Sequence, residues 1–491
     1  MGSYLLAIPI LLPIICGSAL YFLRFTREVV GKWLITVTVF INSAIIWMLI
    51  INCSSDSFTV FELTEKLAIQ LRLDGLGRFF AAIIATLWPM TTIYAFEYMR
   101  NEERKSTFFC FFVMSFGVTM GVCSAGNMLT MYCFYEFLTL ATLPLVIHTM
   151  TKAAIRAART YLCFSIGGAA FAFIGMVYLI ANGSSSGFML GGIMSGSNAD
   201  ETMSRIIYVI AFMGFGVKAA VFPVHSWLPK ASVAPTPVTA LLHAVAVVKS
   251  GAFAIIRLTY FCFGTELLAG TWAQTVVLCV AAFTVFYGSS MALKQGHFKR
   301  RLAYSTVANL SYIVLGATMM TPQGLAAGLS HMAFHAIIKI LGFFCAGAVM
   351  HNTEREYVYE FDGLGRKMPV TFACYTVSAL ALTGIPPLNG FVSKWNLLTS
   401  TLSASVINPT AYVGAAALLI SALLTAMYML TPCVRAYFPN KDTNFRGLDG
   451  IREVNAYMTV PMLILAAACI LTGIFAGPIV ELCGDIALGI V

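Results

Sequence analysis

VFPVHSWLPKASVAPTPVTALLHAVAVVKSG, residues 221–251, carries two opposed signals. Its second half is a run of small and branched apolar side chains of the kind that crosses a bilayer, where a helix needs about 20 such residues. Its first half holds Pro223, Pro229, Pro235 and Pro237, and proline removes a backbone donor and stops a helix. A break at membrane depth is tolerated only where the freed backbone groups are buried in protein or face a watery cavity. His243 and Lys249 lie inside the apolar run, and Lys218 lies just before the first proline. The stretch therefore reads as membrane helix that is deliberately broken and deliberately charged.

The surrounding chain sets the class. Of 491 residues, 59% are hydrophobic and 10% charged, and the mean hydropathy is +0.84. Soluble domains run about 45–50% apolar and about 25% charged. An ordinary soluble enzyme, a disordered chain and a nucleic-acid-binding domain are excluded. The net charge of +9 reads as loop bias of a membrane protein. Fourteen apolar runs begin near Tyr4, Trp33, Phe79, Ser106, Asn127, Thr160, Ser204, Pro237, Trp272, Leu302, Gln323, Val370, Thr410 and Tyr457. The expectation is an all-α polytopic membrane protein of about 14 transmembrane helices, one domain over residues 1–491. The runs are continuous rather than alternating, which excludes a β-barrel. The run from Tyr4 to Phe22 lacks a preceding basic region and reads as a retained helix.

Loop charges test the count. With the N-terminus on side B, side A receives Arg24, Arg27 and Lys32, then Arg100, Arg104 and Lys105, later the loop charges Lys294, Lys299, Arg300 and Arg301, and so on to Arg435, Lys441, Arg446 and Arg452. Side B receives only Lys66, Arg72, Arg78 and Arg205. The positive-inside rule makes side A cytoplasmic, with both termini outside a cell (inner) membrane. Gly183–Asp200 is a Gly/Ser-rich loop on side B without a phosphate-binding pattern, and Asn182 begins a short sequon. The cysteines (Cys16, Cys53, Cys110, Cys123, Cys133, Cys163 and others) show no C-x-x-C spacing and read as small apolar fillers. No cofactor is expected in the chain.

Five basic residues remain inside spans: Lys218, Lys249, Arg257, Lys339 and Lys394. Glu136, in LTMYCFYEFLTLATLPL, is the one mid-span acid. Such charges cost on the order of 2.5–3.5 kcal/mol each and usually mark an ion or proton path. Glu136 and Lys218 are candidates for a pair; Arg257, late in its span, reads as structural or snorkelling. In HMAFHAIIKILGFF, His331, His335 and Lys339 follow at i, i+4 and i+8 and share one helix face. Imidazole titrates near neutral pH and can relay a proton; hydrogen-bonded core histidines are the bland alternative. His243 and Lys249 are six residues apart and do not share a face tightly. His225, His297 and His351 fall on or near cytoplasmic loops, and His148 near a span end. A second interruption, Gly384-Ile-Pro-Pro-Leu-Asn-Gly390, lies inside the twelfth span with Lys394 after it. Paired broken helices mark inverted-repeat transporters. The expected repeats have five helices each, about 105–261 and 272–438, with helices 7 and 12 broken; proline kinks are the simpler alternative.

Three stretches together, HSWLPKASVAPTPVTALLHAVAVVKSG, HMAFHAIIKILGFF and GIPPLNGFVSKW, resemble the antiporter-like subunits of respiratory complex I, Mrp-type sodium/proton antiporters and membrane-bound energy-converting hydrogenases. The resemblance covers about the third to the thirteenth span. It implies fourteen helices, an inverted repeat and two half-channels joined by a polar axis. It implies roles for Glu136 on the fifth helix and Lys218 on the broken seventh. It extends them to His243 and Lys249 on the eighth, His331, His335 and Lys339 on the eleventh, and Lys394 on the broken twelfth. The sixth span, YLCFSIGGAAFAFIG, lacks an aspartate that some members carry, and no long lateral helix follows the last span. Both departures, with the ALLHAVAVVKSG phrasing, tilt toward Mrp-type or hydrogenase-type relatives. The implied partners are other antiporter-like and small membrane subunits, a peripheral redox arm with iron–sulfur subunits, and lipid. The transported ion is H⁺ or Na⁺. Three functions stand open: a proton-translocating subunit coupled to redox chemistry, a sodium/proton antiporter subunit without redox partners, and a non-conducting scaffold.

Overall fold

The computed structural model describes residues 3–22, 28–52, 56–64, 66–439 and 448–490. Arg24, Arg27, Cys53, Lys441 and Arg446 lie outside the described residues. The elements begin with α1 (Ile8–Phe22), α2 (Glu28–Asn52), a hairpin of β1 (Phe58–Thr64) and β2 (Leu67–Leu71), α3 (Gly75–Tyr98), α4 (Lys105–Cys123), α5 (Met128–Val146), α6 (Lys152–Asn182) and α7 (Glu201–Gly216). Then follow α8 (Trp227–Ala231), α9 (Thr236–Ala244), α10 (Val247–Ile256), α11 (Thr265–Leu268), α12 (Trp272–Lys294), α13 (Phe298–Thr318) and α14 (Pro322–Thr353). The chain closes with α15 (Pro369–Thr383), α16 (Asn389–Ala404), α17 (Ala411–Tyr437), α18 (Ala456–Ile474) and α19 (Gly477–Leu488).

Among the described residues, 11 helices are long and apolar enough to cross a membrane. The expected spans near Ser204, Leu302 and Val370 are not among them, for separate reasons. α7 and α15 stop after 16 and 15 residues at the two interruptions, and α13 opens on Phe298-Lys299-Arg300-Arg301. Two spans form the centre. The most apolar window is 100% buried in the span 236–263 and 89% buried in α14, against 33% in the first and last spans. α14 packs on α9, α13, α15, α16, α18 and α19, so helices without a lipid-facing side occupy the middle of the bundle.

The hairpin escapes sequence reading. FTVFELT is rich in aromatic and β-branched residues, a strand composition, but it sits in a loop between spans. β1 pairs antiparallel with β2, Phe58 opposite Leu71 and Thr64 opposite Leu67. Asn127 ties it down: its Nδ2 donates to Ala68 O (2.8 Å) while its Oδ1 caps α5 by accepting from Thr130 N (2.8 Å). Thr130 Oγ1 accepts from Gln70 N (2.8 Å).

Arg257 does not snorkel. It is wholly buried, and its Nη1 and Nη2 donate to both carboxylate oxygens of Asp74 at 2.5 and 2.6 Å. Asp74 also caps α3 through Gly77 N (2.9 Å). The rings of Phe188, Phe253 and Phe261 stand 4.6–5.0 Å from the guanidinium carbon. The pair fixes the start of α3 to the π-helical turn Arg257–Phe263. Removing one partner of such a pair leaves a buried charge uncompensated, which costs about 3–5 kcal/mol. Asp74→Ala is expected to lower the thermal unfolding midpoint in detergent by that order. Asp74→Ala with Arg257→Met, which removes both charges, is expected to recover most of it.

A charged row across the bundle

Each break is stitched from within. After α7 the chain leaves helical form over residues 217–226, and Trp227 Nε1 donates to Val217 O (2.7 Å). Lys218 sits in this turn, wholly buried. Its Nζ lies 3.3 Å from Glu136 Oε1, 3.4 Å from the centroid of the Tyr135 ring, and donates to Tyr135 O. Gly251 lets α10 approach this closely: a Cβ there would run into the backbone of Lys218 and Ala219. In the second break, α15 ends at Gly384 with φ +90°. Lys394 Nζ reaches back to the last carbonyls of α15, Leu382 O at 2.6 Å and Thr383 O at 3.2 Å. A cation at a helix C-terminus meets the negative end of the helix dipole. Gly390 is the matching close approach, since a Cβ would run into Ala381 O.

A third break lies where the sequence suggests none. The eighth span is interrupted at Val245 and Ala246, between α9 and α10. His243 and Lys249 therefore sit on two helices, and the 120° separation expected on one continuous helix does not apply. Lys249 Nζ donates to Met332 O of α14 (2.7 Å). His243 packs against Phe343, centroids 5.0 Å apart and ring planes tilted by 37°.

α14 runs unbroken for 32 residues, so His331, His335 and Lys339 do share a face. His331 Nδ1 meets Ser393 Oγ at 2.9 Å. The rings of His331 and His335 are 5.7 Å apart, and Tyr312 stands 5.2 Å from His331. Lys339 Nζ donates to Leu302 O (3.0 Å) and to Ser305 Oγ. His335 interacts electrostatically with Lys249, His331, Lys339 and His243, and His331 with Lys394. Both ring nitrogens of His243 and of His335, and Nε2 of His331, are buried with no hydrogen-bond partner among the described residues. Such atoms are rare in a settled core.

The sequence-selected residues thus form one row: Glu136, Lys218, Lys249 and His243, His335 and Lys339, His331, Lys394. Its middle is wholly buried. Glu136, 26% exposed, sits beside lipid-facing Phe137 and Leu140, and Lys394 beside exposed Trp395. Residues beyond the expected set join it. Lys299 was placed on a loop by charge counting, yet it is buried, donates to Ala234 O (2.6 Å) and interacts with His243. Arg301 is buried too and donates to Tyr428 O (3.1 Å). His225, also expected on a loop, is 5% exposed between the rings of Phe222 and Tyr287. The signal for Lys299 and its neighbours lay in α13, where Ser305, Asn309 and Tyr312 make a polar stripe at i, i+4 and i+7. Among the described residues no group of three or more His, Cys, Asp or Glu could hold a metal ion.

A family profile described as NADH:quinone oxidoreductase/Mrp antiporter, transmembrane, matches residues 125–425. The chain is 32% identical over 427 residues to the NADH-quinone oxidoreductase subunit N of Desulforudis audaxviator, covering 84% of this chain and 83% of that one. It is 29% identical over 499 residues to the Na⁺/H⁺ antiporter subunit A1 of Staphylococcus aureus, covering 96% of this chain but only 61% of that subunit's length. Three solved structures share the fold at 20–22% identity, each covering 98% of this chain. They come from the archaeal membrane-bound sulfane sulfur reductase (TM-score 0.85, 96% of that chain), the Mrp complex of Dietzia (0.84, 96%) and respiratory complex I of Thermus thermophilus (0.82, 99%). The match over the whole polar row and the identity to subunit N agree, and the chain belongs to the NADH:quinone oxidoreductase/Mrp antiporter transmembrane family.

Proposed function

We propose that the chain is a proton-translocating subunit of a multi-subunit membrane complex, driven by redox chemistry in other subunits. The carrying observation is the set of charged and imidazole side chains from Glu136 to Lys394, partly exposed at both ends and buried between them. Protons enter from the cytoplasmic side toward Lys218 or Lys249. They move laterally through His243, His331, His335 and Lys339 to Lys394, and leave outward. Lys299 beside His243 offers a further step on the cytoplasmic side. Glu136, at the bundle surface, lies where a neighbouring subunit can bias it and so decide whether Lys218 holds its proton. Residues 105–261 and 272–438 act as two inverted halves; each contains a broken helix, a lysine at the break and a glycine at the tight approach. The subunit holds no redox cofactor of its own, and its partners are other antiporter-like and small membrane subunits and an iron–sulfur arm. A hydrogenase-like or complex I-like redox assembly is the favoured setting, in a cell (inner) membrane with both termini outside.

Lys218→Ala is expected to lower proton translocation by the purified complex in vesicles on the order of 10²-fold, the usual worth of a positioned proton-transfer group. Unchanged pumping, read with a pH-sensitive dye inside the vesicles, overturns the proposal. The Lys249→Ala, Lys394→Ala double variant separates this reading from a scaffold: assembly is retained and pumping lost, whereas a scaffold would keep both.

The sodium reading rests on the resemblance to the Staphylococcus antiporter subunit. Sodium prefers several oxygen ligands, and Glu136 brings the one carboxylate to the row. Transport is therefore expected to persist in sodium-free buffer; an absolute sodium requirement reverses the assignment.

A further inference from the structure

A histidine–carboxylate pair sits at the surface immediately before α13. His297 Nε2 and Glu356 Oε2 are 3.3 Å apart. Two loops are knitted to hold them: Phe298 N donates to Glu356 O (2.9 Å), Val358 N donates to Gly296 O (3.0 Å), and His297 is bridged to Tyr357. The Glu356 side chain is 51% exposed and that of His297 17%. His297 Nδ1 is buried with no hydrogen-bond partner among the described residues. The pair thus has one end in water and the other in protein.

Lys299, the second residue of α13, continues inward from it. Lys299 interacts electrostatically with Glu356 and His297, and its Nζ donates to Ala234 O (2.6 Å). Thr239 Oγ1 donates to the same oxygen (2.9 Å), so amine and hydroxyl meet at one carbonyl. Thr239 and His243 lie one turn apart on α9 and share its face. Thr239, like His243, is wholly buried. A file of exchangeable protons therefore runs from the surface pair through Lys299 and Thr239 to the row. We infer, resting on the proton-translocating reading of the row, that Glu356 and His297 form its proton-collecting port and feed His243 through Lys299.

A half-exposed carboxylate takes protons from hydronium, and an imidazole beside it can carry them on. Each hop forms one N–H or O–H bond as it breaks another, and no electron moves. The Lys299 amine gains a proton from the pair. Thr239 accepts one on its oxygen while it releases its own, and His243 gains that proton on a ring nitrogen. The neighbours set the balance. Burial first, then the cations Arg300 and Lys299, hold the His297 pKa below the usual histidine value, while Glu356 opposes them. Tyr98 of α3 also feels the charge of Glu356, and Glu356 N donates to Glu360 Oε2 (3.1 Å).

The test is pumping by the purified complex in vesicles, with the face bearing Glu356 held at pH 6 or at pH 8. Hydronium is plentiful enough at pH 6 to reach Lys299 without a collector, and becomes limiting at pH 8. In Glu356→Gln the ratio of the pH 8 rate to the pH 6 rate is expected to fall about ten-fold against wild type. That is less than the usual worth of a positioned proton-transfer group, because His297 remains. Glu356→Asp, which keeps the carboxylate, is expected to restore most of the ratio. An unchanged ratio in Glu356→Gln overturns the inference, since a pair that only ties two loops together would lower both rates alike. Should that variant fail to assemble, His297→Asn gives the same reading with the same expected direction. Lys218→Ala is measured alongside. Pumping lost there with an unchanged ratio in Glu356→Gln removes the port alone, whereas pumping retained there removes the proton-translocating reading itself.

Discussion

A hydrocarbon interior supplies neither water nor counter-ions, so every amine and every broken helix at membrane depth must find its partners inside the protein. Which partners it finds separates two kinds of charge in this chain. Arg257 is held by a carboxylate in a two-pronged pair, and a guanidinium does not deprotonate. Lys249, Lys339 and Lys394 are held chiefly by backbone carbonyls. A carbonyl oxygen accepts a hydrogen bond from an ammonium and from a neutral amine alike. These lysines can release a proton without losing their place. Lys218 alone has an acid beside it, and an acid distinguishes strongly between the two states.

The row also supplies its own coupling. Two unit charges about 6 Å apart repel by roughly 3 kcal/mol at an effective dielectric of about 20. A proton arriving on His335 therefore disfavours one on His331, whose ring centroid is 5.7 Å away. Helix breaks place lysines at both ends of the row, where backbone can reorient. The unbroken helix in the middle keeps the spacing.

Much of this was legible in the sequence because lipid makes charge conspicuous. Glu136, Lys218, Lys249, Lys339 and Lys394 stood out as ionised types in apolar runs, and the prolines marked two interruptions where the structure has them. What stayed hidden followed weaker signals. The break at Val245-Ala246 contains no proline or glycine, so nothing local announces it; α9 packs on α3 and α14 while α10 packs on α7 and α13, so the two halves of the span answer to different neighbours. Lys299 and Arg301 read as loop charge because the span boundary was drawn by hydropathy, while the helix begins at Phe298. Asp74, next to a charged loop, gave no hint of reaching a residue 183 positions away. The hairpin is hard to read because its first strand is short and largely exposed, with no buried face to mark it.

The continuity of α14 has a consequence for how the chain can vary. Its 32 residues hold His331, His335 and Lys339 at four-residue intervals, each step advancing about 6 Å and turning about 40° past a full circle. One residue inserted between His335 and Lys339 would swing every later side chain by about 100° and carry the amine away from Leu302 and Ser305. The same insertion in the loop at 183–200 would cost little, since loops absorb length. The spacing of the row is thus gauged by a rigid rod rather than by adjustable connections, and its tolerance to length change is zero at its centre and generous at its surface.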